Sequence, residues 1–108
     1  MVGSKLRVIQ DYEKLSAELQ EQIKLVYPEG YVDHLITFTN AKGEIVSALR
    51  FETLEKIYLV RMTKAKAERL VDEDSDFDED GNLRSNVREQ YEEDHSDVDY
   101  LSENDNYE

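Results

Sequence analysis

The sequence has no cysteine and no tryptophan, a single proline, four glycines and two histidines in 108 residues. Without cysteine there can be no disulfide framework, no thiolate metal site and no cysteine nucleophile, which suits a reducing compartment. Scarce proline and glycine argue against a loop-rich or fibrous architecture, and the length allows one core. Long hydrophobic runs are also missing. The opening MVGSKLRVIQ has no apolar h-region, and Gly3 is misplaced for myristoylation. The expectation is a cytoplasmic protein with no membrane contact.

What is abundant is negative charge, and it is unevenly placed. Residues 1 to 70 carry eleven Lys and Arg against ten Asp and Glu, whereas residues 71 to 108 carry two against sixteen, so the formal charge of −13 lies in the last third. So few large apolar residues there cannot offset roughly 1–2 kcal/mol of backbone entropy per residue. The expected organisation is a folded domain over 1–73 and an acidic, mostly disordered tail over 74–108, with a transient helix near 85–93 carrying Leu83, Val87 and Tyr91 along one side.

Within the first part, Leu6 to Ile9 reads as an edge strand. Ser16 can cap a helix that Pro28 cannot continue, with Leu19, Ile23, Val26 and Tyr27 on its buried stripe and Glu18, Glu21 and Lys24 facing water. From His34 to Met62 the pattern alternates, giving three antiparallel strands near 34–39, 44–51 and 57–63, with Gly43 in the first turn. If Thr53 pairs with Lys56, Phe51 falls opposite Tyr58, Leu49 opposite Val60 and Ser47 opposite Met62 on the core face. Arg50, Leu59, Ala48 and Arg61 then share the reverse face. Thr63 caps a second helix from Lys64 to about Asp72. The fold class is α+β: a small antiparallel sheet of three or four strands packed with two helices, followed by the tail.

Chemistry-bearing motifs are few. Asp76-Phe-Asp78-Glu-Asp80-Gly81-Asn82-Leu83 reproduces the opening of a calcium loop, making Asp76, Asp78, Asp80 and Asn82 candidate metal ligands. Arg84 and Val87 stand at the ninth and twelfth positions, where a cation needs oxygen, so weak calcium or divalent binding is the most this site supports. His34 and His95 each lack a convergent partner set in the sequence. Arg50 and Arg61 with Lys64, Lys66 and Arg69 form a candidate surface for an anionic partner, or for the tail itself docking across it. With no assembled nucleophile, base or cofactor loop, the expected function is non-enzymatic. The leading reading is a monomeric protein-interaction module whose acidic tail provides solubility or mimics nucleic-acid phosphate towards an unidentified protein, such as a basic nucleic-acid-binding one; direct nucleic-acid binding is not expected.

The run DYEKLSAELQEQIKLVYPEGYVDHLITFTNAKGEIVSALRFET, then YLVRMT and the acidic DEDGNL segment, resembles a functionally uncharacterised family of short acidic proteins from intestinal bacteria. The resemblance covers most of the chain. It implies a bacterial cytosolic protein and supplies no site residues.

Overall fold

A computed structural model describes residues 5–101 and Asn104. Strand β1 (Leu6–Asp11) leads through a 3₁₀ turn into helix α1 (Ala17–Val26). Ser16 caps α1, its side chain accepting from the Leu19 N–H at 3.2 Å. A second 3₁₀ turn, Val32–His34, precedes strands β2 (Ile36–Thr39), β3 (Ile45–Glu52) and β4 (Lys56–Arg61), so His34 ends a turn rather than starting a strand. Helix α2 (Lys64–Asp72) follows at once. Thr63 caps it by accepting from the Lys66 N–H at 3.1 Å, and Thr63→Ala should cost about 1 kcal/mol in urea denaturation.

The two hairpins form as their turn residues require. Gly43 takes φ +81° between β2 and β3, the left-handed conformation that glycine adopts at no steric cost. Thr53 N–H donates to the Lys56 carbonyl at 2.8 Å and closes the β3–β4 turn. That bond fixes the register: Phe51 lies opposite Tyr58, Leu49 opposite Val60, Arg50 opposite Leu59 and Ala48 opposite Arg61. Ser47 and Met62 are joined beyond the last rung, by Met62 N–H to the Ser47 carbonyl at 3.1 Å and Ser47 Oγ to the Met62 carbonyl at 2.6 Å.

Two expectations are corrected. The sheet is mixed, not antiparallel: its order is β1-β4-β3-β2, and β1 runs parallel to β4 with Val8 beside Tyr58. A strand returning through α1 and the hairpins is free of the reversal that a tight turn imposes, so it can enter beside β4 in either direction. Nor does the fold stop near Glu73. Phe77 and Leu83 are buried in the same cluster as Ile23, Phe51 and Val60, and Val87, Tyr100 and Leu101 pack against it. A third helix, α3 (Ser85–Asp94), packs on α1. The expected tail is thus a packed layer as far as Leu101, while its residues 102–103 and 105–108 lie outside the described residues.

Helices α1, α2 and α3 share one side of the sheet, where Leu49, Phe51 and Val60 meet Ile23, Ala67 and Val71. Among the described residues no helix is long and apolar enough to cross a membrane.

Candidate functional site

The densest charged constellation is built around Lys24, one residue along α1 from the fully buried Ile23. A lysine there would be costly to bury alone. It is nevertheless only 8% exposed, because Nζ lies 2.7 Å from Asp74 Oδ2 and 2.7 Å from Asp76 Oδ2. The Tyr91 hydroxyl, reaching back from α3, donates to the same Asp76 oxygen at 2.6 Å, and Nζ stands 5.9 Å from the Tyr91 ring centre.

Electrostatics follow from this packing. Burial opposes the charged lysine, but the two carboxylate hydrogen bonds outweigh it and hold the Lys24 pKa above its ordinary value. Burial likewise works against the Asp76 carboxylate, and the bonds from Lys24 and Tyr91 override it, leaving the pKa low. Tyr91 is pushed up by burial and by donating to Asp76. Each charge has an opposite partner within hydrogen-bond reach, so the cluster is a latch between α1 and the acidic segment rather than a poised acid or base. Lys24 does not face water as the helical stripe alone suggests.

A second latch lies further along the same two helices. His95, just past α3, is buried with Nε2 2.9 Å from Glu21 Oε1, while Gln22 Nε2 lies 3.4 Å from Nδ1. With the Gln22 amide donating to Nδ1, the matching neutral tautomer carries its N–H at Nε2, where it donates to Glu21. Tyr100 donates to Gln22 Oε1 at 2.6 Å. Sequence reading finds neither latch, since each joins α1 to residues fifty or more positions away.

The candidate metal ligands are placed differently from a cation site. Asp76 is taken by Lys24 and Tyr91. Asp78 Oδ1 accepts from the N–H groups of Asp80 and Asn82, and Asp78 N–H donates to the Asn82 carbonyl, closing a tight turn around Gly81 with φ +84°. Phe77 and Leu83 bridge across its base. The turn is shaped like the start of a calcium loop, yet among the described residues no three His, Asp or Glu side chains are grouped to hold a metal ion.

The candidate basic surface is divided. Arg50 and Arg61 project from the helix-free side of the sheet, paired with Glu52 and with Asp11 respectively. Lys64, Lys66 and Arg69 ride on α2 under the opposite side, with Lys66 2.8 Å from Glu13. Among the described residues the acidic segment docks mainly on α1, and Asn104 reaches the sheet, where its side chain accepts from the Glu52 N–H at 3.1 Å and donates to the Glu52 carbonyl at 2.9 Å, beside Arg50.

Two surfaces stand out instead. One is the acidic layer, where Glu89, Glu92, Glu93 and Asp94 of α3 and Asp72, Glu73, Glu79 and Asp80 before it are exposed. The other is the helix-free sheet face, where Ile9, Ile57, Leu59, Val46, Ile36 and Phe38 lie side by side and none joins the helix-side core. Comparison with protein-family models, curated proteins and solved structures finds no match, so the chemistry of these surfaces has to carry the functional reading.

Proposed function

We propose that the chain is a non-catalytic interaction module that presents a fixed layer of carboxylates to a basic protein surface, in the place nucleic-acid phosphate would take. One observation carries this reading: the acid-rich segment is anchored by Phe77, Leu83 and Lys24, leaving most of its described carboxylates exposed on a packed backbone. Ordered charges bind at a lower entropic cost than the same charges on a loose tail. Glu89, Glu92 and Glu93, at i, i+3 and i+4, lie together on one side of α3. An overall charge of −13 steers basic partners in and keeps nucleic acid itself away. Divalent-cation binding through Asp76, Asp78, Asp80 and Asn82 has weaker support, because Lys24 and Tyr91 already occupy Asp76.

The test compares immobilised wild-type chain with a Glu89→Gln/Glu92→Gln/Glu93→Gln variant, whose substituted side chains are all exposed. Wild type should retain basic proteins that short duplex DNA displaces. In the variant the slope of log K against log salt should fall by roughly one per carboxylate removed, by analogy with phosphate contacts. Equal retention and an equal slope would refute the proposal.

A further inference from the structure

Among the described residues the sheet ends at β1, which has only β4 beside it. Leu6 N–H donates to the Glu55 carbonyl at 3.1 Å, and the register sets Leu6 beside Lys56, Val8 beside Tyr58 and Gln10 beside Val60. Along a parallel ladder, alternate residues turn both backbone groups towards the neighbour and those between turn both away. Leu6, Val8 and Gln10 therefore serve β4. The N–H and C=O groups of Arg7, Ile9 and Asp11 point outwards and have no backbone partner among the described residues.

Edges of this kind are normally blunted by proline, a bulge or a short length. β1 contains no proline, its register runs unbroken over six residues, and Leu6 and Ile9 are 63% and 48% exposed. The opposite edge, β2, is four residues long and turns only Thr37 and Thr39 outwards within the strand.

The charges on β1 select what can pair with it. Arg7, Ile9 and Asp11 share the helix-free face, with Arg7 and Asp11 two positions either side of Ile9. An antiparallel copy that sets Ile9 opposite the partner's Ile9 also sets Arg7 opposite the partner's Asp11, and does so twice. In that register the outward groups of all three residues fall in phase, making about six backbone hydrogen bonds. An axis at Val8 instead sets Arg7 against an isoleucine, and a parallel copy sets arginine against arginine. Arg7 has no ion pair within its own chain among the described residues, and Asp11, which holds Arg61 through Oδ1 alone, keeps Oδ2 for the partner's arginine. Nor is the excess negative charge here: residues 5–14 hold Lys5, Arg7 and Lys14 against Asp11 and Glu13.

We propose that the chain forms a two-fold dimer by antiparallel pairing of β1 with β1, centred on Ile9, which joins two four-stranded sheets into one of eight. The Ile9 pair then links Leu59 and Ile57 of each copy into one apolar strip across the helix-free face. The expected monomer gives way to a dimer because the repelling carboxylates and the pairing edge belong to different parts of the chain.

Sedimentation velocity of the full chain from micromolar to millimolar concentration should show a shift to twice the chain mass. Amide exchange at Arg7, Ile9 and Asp11 should slow as the dimer fills. Arg7→Asp sets carboxylates opposite one another and should weaken the dimer about tenfold or more. Asp11→Arg should do the same with guanidinium groups, and an equimolar mixture of the two variants should recover a heterodimer. Ile9→Pro removes an outward N–H while sparing the β4 ladder, and should leave a folded monomer. A wild-type chain that stays monomeric over the whole range overturns the proposal, as does a dimer unmoved by both Arg7→Asp and Ile9→Pro.

Discussion

Phe77→Ala is expected to destabilise the whole protein by about 3–5 kcal/mol, although it lies beyond the point where apolar patterning in the sequence fades. The ring is 4% exposed and meets Tyr31 edge-on, with ring centres 6.0 Å apart. Tyr31 in turn touches Tyr12 and Tyr27, so Phe77 closes an aromatic cluster between the sheet and α1. Removing the ring leaves a cavity that the stiff Phe77–Leu83 bridge resists collapsing. Ending the chain after Glu73 should be worse, because it also removes Leu83, Val87 and the carboxylates paired with Lys24. Urea denaturation followed by tyrosine fluorescence and by far-UV circular dichroism reads both changes. The two probes should give one coincident transition in wild type and an earlier coincident one in Phe77→Ala. A Phe77→Ala midpoint within about 0.5 kcal/mol of wild type would mean that the acidic segment unfolds separately from the domain.

The parts legible in the sequence were those that local chemistry decides. Ser16 and Thr63 could be recognised as caps because a capping side chain bonds only two or three residues ahead. The β3–β4 register followed from the Thr53–Lys56 turn, since one hairpin closure fixes every pair behind it. The direction of β1 was not legible, because its partner stands about fifty residues away and alternation carries no sign of polarity. The acidic segment was misread for a different reason. Average composition counts its carboxylates as mutually repelling, but Asp74 and Asp76 meet Lys24, and only two large apolar residues, Phe77 and Leu83, are needed to seat the loop. Likewise Ser85–Asp94 is marginal as an isolated helix and becomes stable once Val87 and Tyr91 have α1 to pack against. Of the candidate site, the turn around Gly81 was legible in outline, whereas the lysine that neutralises its first ligand was not.

Lys24→Met should show the largest effect of any single charge change, about 2–4 kcal/mol of lost stability at neutral pH. The methionine keeps most of the packing but leaves Asp74 and Asp76, each only about a fifth exposed, without their cation. Acidification should reveal the cause. In wild type Asp76 is held below its ordinary value of 3.8, so between those two pKa values the unfolded chain binds more protons than the folded one. Its contribution is therefore complete above the ordinary carboxylate range and disappears as pH falls through the depressed value. In Lys24→Met, burial without the lysine raises Asp76, which reverses the slope: protonation now relieves the folded state. The stability gap between the two proteins should consequently narrow from pH 7 to pH 3. At the other extreme, Lys24 and Tyr91 are both raised, so their share is present below their ordinary values and is lost as pH climbs through the elevated ones. Adding Asp74→Asn and Asp76→Asn to Lys24→Met should recover much of the loss at neutral pH, since what destabilises the single variant is two stranded charges. Urea midpoints across the pH series decide the matter, and a gap that stays constant or widens in acid would show that Lys24 acts by packing rather than as the ion that ties the acidic layer to α1.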